Sequence, residues 1–126
     1  MKKFTKEWLK KAVEDYDAAR VLLQSDFKHY AIICFHLQQA AEKYVKAYLS
    51  EKNIEFAKIH DIEPLINNHL APVDSDFMEL LDAAALLSTY GVLPRYPGDY
   101  PEFTKDEAQQ AFDAFFKIKA MIESKM

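Results

Sequence analysis

The chain has 126 residues, of which 50% are hydrophobic and 29% are charged, and this composition excludes an intrinsically disordered protein. The formal net charge of −4 argues against a general electrostatic attraction for nucleic acid, although a local basic patch is compatible with it. No apolar run approaches the roughly 20 residues of a membrane span, and the N-terminus lacks the apolar stretch of a secretory signal. The single cysteine, Cys34, agrees with a reducing compartment. We therefore expect one domain over residues 1–126, located in the cytoplasm and without a membrane partner.

The first predicted helix runs from about Thr5 to Gln24, with the Thr5 side chain as its N-cap. Apolar side chains recur along it at steps of three or four residues, namely Trp8, Ala12, Tyr16, Ala19 and Leu23. This stripe should face the core, so Trp8 is expected to be buried. A short polar connection leads into the second helix, and two long helices joined this tightly should lie antiparallel.

The second predicted helix, Tyr30 to Glu51, has the clearest helical period of the chain and should be the central helix of the fold. Its apolar arc carries Ile33, Leu37, Ala40, Ala41, Tyr44, Val45 and Tyr48. Its polar arc, expected to be a solvated or inter-helix face, carries His36, Gln39, Glu42, Lys43, Lys46 and Ser50. Glu42 and Lys46 stand one turn apart in the favourable order of acid before base.

Two further helices are predicted in the middle of the chain. A short helix is expected from about Asp61 to Leu70, with Asp61 as a good N-cap. The next helix should open near Asp76, where Glu79 three residues later completes a pattern typical of a capping box, and should end at Gly91.

The last predicted helix begins after Thr104, with Glu107 completing a second capping box. No stretch of the sequence favours a strand. The expected fold class is therefore all-α, an up-and-down bundle of four long helices plus one short helix.

Three blocks of the sequence resemble the HEPN domain family. They are Phe35-His36-Leu37-Gln38-Gln39-Ala40-Ala41-Glu42-Lys43-Tyr44-Val45-Lys46-Ala47-Tyr48-Leu49, His60-Asp61-Ile62 and Arg95-Tyr96-Pro97. The resemblance implies a helical bundle that commonly dimerises. It also implies a choice of activities, since HEPN proteins include ribonuclease toxins, nucleotide-binding modules and helical partners of minimal nucleotidyltransferases.

The segment between Tyr90 and Phe103 holds three of the five prolines and both glycines, so it is predicted to be irregular. Arg95 within it offers a planar fork for a phosphate, beside tyrosine rings on which a base could stack. The predicted binding residues for a nucleotide or RNA phosphate are Arg95, Tyr96, Lys43, Lys46 and His60. A structural polar cluster is predicted around them, formed by Gln38, Gln39, Glu42 and Asp61.

The histidine pattern bears on catalysis and on metal binding. Ribonuclease members of the HEPN family carry an arginine followed four to six residues later by a histidine, whereas no histidine occurs here after His69. This departure argues against the usual acid–base step, so no catalytic residue is assigned. The four histidines form no HxxxH or HExxH pair, so neither a metal site nor a cofactor is expected.

Three functional hypotheses follow. The favoured one is a non-catalytic protein that binds a nucleotide or RNA end and serves as the helical partner of a minimal nucleotidyltransferase, in a toxin–antitoxin-like pair. The second is a diverged, metal-independent ribonuclease that uses Arg95 with His60. The third is a dimeric scaffold without a ligand.

A homodimer is expected because Phe35, Leu49, Phe115 and Phe116 lie off the main apolar stripes.

Overall fold

Two antiparallel helices of equal length form the first half of the fold. The computed structural model describes residues 1–56, 58–90 and 102–126. Helix α1 spans Lys3–Gln24 and helix α2 spans Tyr30–Glu51, so the predicted bounds of α2 are confirmed. The predictions made for Gly91, Arg95 and Tyr96 lie outside the described residues.

Helix α1 begins two residues earlier than the sequence predicts. Thr5 is fully buried, and its hydroxyl donates a hydrogen bond to Glu51 Oε1 at 2.9 Å. The prediction of Thr5 as an N-cap was therefore wrong, since its side chain joins the start of α1 to the end of α2. The Lys2 backbone N–H donates to the same carboxylate oxygen at 3.0 Å. These two hydrogen bonds lower the pKa of the Glu51 carboxyl, and the bond from the Lys2 backbone has the larger effect.

The third helix changes its geometry part of the way along. Helix α3 spans Ile62–Leu65 and continues as a π-helical turn over Ile66–Leu70. Asp61 stands at the N-cap position of α3 with an extended backbone, as predicted. Its side chain makes no capping hydrogen bond within the described part of the chain.

The fourth helix starts as a 3-10 turn over Ser75–Leu80 and becomes helix α4 over Leu81–Ser88. Its N-cap is Asp74, whose carboxylate accepts a hydrogen bond of 3.0 Å from the Asp76 backbone N–H. The predicted capping box of Asp76 and Glu79 was therefore wrong by two residues. An aspartate is favourable both at the N-cap and in the first turn of a helix. The sequence alone therefore does not show whether Asp74 or Asp76 is the cap.

Helix α5 spans Lys105–Lys125, and its start is confirmed in detail. The Thr104 hydroxyl accepts from the Glu107 backbone N–H at 3.2 Å, and the Glu107 carboxylate accepts from the Thr104 backbone N–H at 3.1 Å. This reciprocal pair is a capping box, which satisfies two N–H groups that the first turn leaves free.

Helix α2 lies at the centre of the assembly and packs against α1, α3, α4 and α5. The predicted all-α class is confirmed, since the described ranges contain five helices and no strand. Of the residues proposed as surplus apolar surface, Leu49 and Phe115 are fully buried inside the chain. That part of the homodimer expectation was wrong for these two residues, whereas the Phe116 side chain is 42% exposed.

Cys34 on α2 lies in the core, where burial raises the pKa of its thiol to about 12. The thiol therefore stays protonated and serves as a small apolar group. Among the helices described, none is both long and apolar enough to cross a membrane.

Candidate functional site

The site is built around Glu42, a carboxylate that α2 carries into the interior. Glu42 is 3% exposed, and its Oε1 accepts a hydrogen bond of 2.7 Å from Lys46 Nζ, one helical turn further on. Lys46 is 4% exposed, so both charges are taken out of water together. The same Oε1 lies 3.0 Å from His60 Nδ1, in the segment just before α3. A buried carboxylate thus holds one ammonium and one imidazole.

Gln38, one turn before Glu42, fixes the backbone of the His60 segment. It is fully buried, and its Nε2 donates to the His60 carbonyl oxygen at 3.1 Å. Its Oε1 accepts from Gln39 Nε2 at 2.7 Å. The side chain and the backbone of His60 are therefore both held by α2, which limits how far the imidazole can turn.

The His60 imidazole reaches the surface although its partner is buried. Its side chain is 81% exposed, whereas the Glu42 side chain is 3% exposed. A carboxylate only accepts hydrogen bonds, so Nδ1 carries the hydrogen in this contact. In the neutral ring the lone pair then belongs to Nε2, so this nitrogen is the hydrogen-bond acceptor of the ring. The arrangement presents one oriented imidazole at the surface.

Trp8 of α1 covers the other side of this cluster. The Lys46 ammonium lies 5.3 Å from the centroid of the Trp8 ring, within the range of a cation–π interaction. Trp8 itself is only partly buried. Its prediction as a core residue was therefore wrong: the residues of α1 that are fully buried are Thr5, Ala12 and Ala19.

A second polar cluster joins α1 to α2 further along the same side. Asp15 Oδ1 lies 3.0 Å from His36 Nδ1, and its Oδ2 accepts from the Lys43 ammonium. The side chains of Asp15, His36 and Lys43 are 16%, 33% and 22% exposed. Each of the two clusters therefore consists of one carboxylate between one lysine and one histidine.

These contacts show which of the residues predicted to bind a phosphate are already paired with a carboxylate inside the protein. Lys46 is buried against Glu42, and Lys43 is paired with Asp15, so both ammonium groups already face a carboxylate. His60 is the exposed member of the set within the described ranges. Arg95 and Tyr96 lie outside those ranges, and their predicted role stays a prediction.

The predicted polar cluster of Gln38, Gln39 and Glu42 comes together in the structure, while Asp61 is exposed beside it. Asp15 was missed, because its partners lie on another helix and no spacing within α1 indicates them.

In the part of the chain described, no three His, Cys, Asp or Glu side chains are grouped so as to hold a metal ion.

Comparison with known proteins places the chain in a family. The sequence profile of the HEPN domain matches residues 5–125, and the protein belongs to the HEPN domain family. It is 30% identical over 122 residues to a candidate toxin, MJ1304 of Methanocaldococcus jannaschii, an alignment covering 86% of this chain and 78% of that protein.

Two crystal structures share the fold. The protein TT1696 from Thermus thermophilus superimposes with a TM-score of 0.82 at 31% identity, covering 97% of this chain and 98% of the other. An archaeal HEPN homologue, ST0689, gives a TM-score of 0.76 at 28% identity, covering 99% and 98%. The all-α fold and the family that the sequence blocks resemble are therefore confirmed.

Proposed function

We propose that this protein is a non-catalytic HEPN protein that binds a nucleotide or RNA end and acts as the helical partner of a separately encoded minimal nucleotidyltransferase. The observation that carries the binding proposal is the exposed His60 imidazole, held in one orientation by the buried Glu42. An oriented donor or acceptor at a surface binds a polar ligand with less loss of conformational entropy than a mobile side chain.

The toxin–antitoxin part of the proposal rests on the relative from Methanocaldococcus jannaschii, whose name marks it as a candidate toxin. The non-catalytic part rests on the sequence, because no histidine follows Arg95 in the chain. In this proposal Arg95 and Tyr96 contact the phosphate and base of the ligand, with His60 as a further hydrogen-bonding group.

Binding and cleavage of a short oligoadenylate RNA test this function together. With a chelator present, we expect the RNA to be bound and to remain intact. Arg95→Ala and His60→Ala should each weaken binding by roughly 1–3 kcal/mol, the scale of a lost charge-assisted hydrogen bond, with little change in melting temperature. Arg95→Lys should recover part of the loss, because an ammonium keeps the charge but not the planar fork.

The control is His29→Ala, which removes an exposed histidine at the N-terminal end of α2 and should leave binding unchanged. If Arg95→Ala melts early while its folded fraction binds RNA normally, the arginine ties the loop together and the binding role is refuted. If the unmodified protein binds no RNA at all, the scaffold without a ligand becomes the better account.

The Glu42–His60 contact favours one second candidate, a diverged metal-independent ribonuclease that uses Arg95 with His60. A carboxylate that holds the Nδ1 hydrogen of an imidazole leaves Nε2 to move a proton, as in hydrolases of unrelated fold. The same assay separates the two candidates. RNA cleavage under chelator that disappears in His60→Ala would establish the ribonuclease and refute the non-catalytic proposal.

We also propose that the protein forms a homodimer. Val13 and Phe116 are each 42% exposed, and Tyr16, one turn after Val13, packs against Phe116 with ring centroids 5.8 Å apart. Such an apolar patch of α1 and α5 side chains is typical of an interface. Sedimentation should give a dimer at micromolar concentration, and Phe116→Glu should shift it to monomer. A monomer in both cases would refute the dimer.

A further inference from the structure

The position of the hydrogen on the His60 ring is determined by Glu42 beneath it. Glu42 Oε1 lies 2.7 Å from Lys46 Nζ and 3.0 Å from His60 Nδ1. An ammonium has only donors, so Oε1 accepts the hydrogen bond from Lys46. If Oε1 itself carried a hydrogen toward Nδ1, the Lys46 ammonium, 4% exposed, would be buried without a counter-charge. The hydrogen of the contact with His60 therefore lies on Nδ1.

The charges beneath the ring agree with a neutral imidazole. Glu42 and Lys46 carry opposite charges, and both are buried. Their pair is neutral as a whole, so the His60 ring needs no added proton to balance the carboxylate. A neutral ring with its hydrogen on Nδ1 has its lone pair on Nε2.

Gln38 restrains the same residue from the backbone side. Its Nε2 donates to the His60 carbonyl oxygen at 3.1 Å and lies 3.5 Å from Glu42 Oε2. Turning the imidazole by 180° would place a ring carbon against Glu42 Oε1 and remove one donor from the buried carboxylate. Both the orientation and the tautomer of the ring are therefore held, and the exposed imidazole offers a ligand an acceptor.

An acceptor at this position has a consequence for the ligand. The ionised phosphate oxygens of a nucleotide or RNA are themselves acceptors, so they form no hydrogen bond with the lone pair of Nε2. The uncharged donors of RNA are the ribose hydroxyls and the exocyclic amines of the bases. The geometry thus separates His60 from the phosphate contact that the sequence predicted for it.

We propose that His60 accepts a hydrogen bond from an uncharged donor of the ligand, a ribose hydroxyl or a base amine, and does not bind its phosphates. This inference rests on the proposed function, in which the phosphate contact belongs to Arg95. His60 is then a residue that determines specificity. Glu42, Lys46 and Gln38 act through the ring and its backbone, and they are positioning residues.

The tautomer is measured without a ligand, by ¹⁵N NMR of the histidine rings at about pH 8, the upper end of the range in which histidines change charge. The His60 signals, identified by their loss in His60→Ala, should show a hydrogen on Nδ1 and none on Nε2. A hydrogen on Nε2 would overturn the inference. The double variant Glu42→Gln with Lys46→Met supplies an amide that either donates or accepts, so it should lose the preference for Nδ1.

Three labelled oligoadenylate RNAs, compared at the same pH, identify the ligand group. The first is unmodified, the second is methylated at every ribose hydroxyl, and the third contains purine in place of adenine and so lacks the amine. One of the two modified RNAs should bind about five- to tenfold more weakly than the unmodified RNA, the scale of one lost hydrogen bond. That loss should disappear in His60→Ala and persist in His29→Ala, which removes an exposed histidine at the start of α2.

The comparison distinguishes failure of the inference from failure of the proposed function. A loss with the methylated RNA assigns the hydroxyl, and a loss with the purine RNA assigns the amine. If each modification costs the same in His60→Ala as in the unmodified protein, His60 accepts no donor and the inference is refuted, while RNA binding stands. If the unmodified RNA does not bind, both are refuted. Should His60→Ala fail to fold, His60→Phe keeps a ring without nitrogens and takes its place.

Discussion

Replacing Glu42 with glutamine is expected to lower the free energy of unfolding by about 3–5 kcal/mol, the cost of breaking a buried ion pair by removing one charge. The Lys46 ammonium is 4% exposed and would then be buried beside a neutral amide. The His60 imidazole would also lose the carboxylate that holds Nδ1. Urea unfolding of the variant and the parent protein measures the difference.

Two further variants test whether this loss of stability comes from the unpaired charge of Lys46. The double variant Glu42→Gln with Lys46→Met removes both charges and should regain much of the stability, because no unpaired charge remains. Glu123→Gln is the matched control, since Lys119 and Glu123 form an i,i+4 pair in which Glu123 is 51% exposed. That exposed pair should contribute only about 0.3–0.5 kcal/mol. If Glu42→Gln lowers the free energy of unfolding no more than Glu123→Gln does, the Glu42–Lys46 pair is solvated.

Truncation of Tyr44 to alanine should cost about 3–5 kcal/mol, whereas the same truncation of Trp8 should cost only about 1–2 kcal/mol. Tyr44 is 4% exposed, and its ring packs edge-on against Phe115 with centroids 5.9 Å apart. Trp8 is larger, but its contact is the Lys46 ammonium and part of its ring faces solvent. Thermal melts of the two variants measure both losses.

The order of these two losses tests the placement of the core. Residue size alone would make Trp8→Ala the more damaging change, because a tryptophan buries more area than a tyrosine when both are enclosed. If Trp8→Ala is as destabilising as Tyr44→Ala, the Trp8 ring packs as a core residue.

The features that local sequence determines were predictable. The bounds of α2 follow from its apolar period, and the start of α5 follows from Thr104 and Glu107, which meet within one turn. The Glu42–Lys46 contact was predictable for the same reason, since four residues along a helix bring two side chains together. In each case the interacting groups belong to one helix.

The features that depend on a neighbouring helix were not predictable. The polar arc of α2 was expected at a solvated or inter-helix face, yet Glu42 and Lys46 are buried because Trp8 of α1 and the His60 segment cover them. The centre of the α1 stripe was misplaced for a related reason. Small residues, Ala12 and Ala19, let α1 approach α2 closely, and the large Trp8 is displaced to the side.

The central position of α2 has a consequence for how this protein can vary during evolution. Each side of α2 packs against a different neighbour, so an enlarged side chain at Ala40 or Ala41 has no free space and requires a matching reduction on another helix. At exposed positions of α1 and α5 such as Lys10 and Lys117, a substitution needs no such compensation. We therefore expect substitutions at the enclosed positions of α2 to arise in compensating pairs.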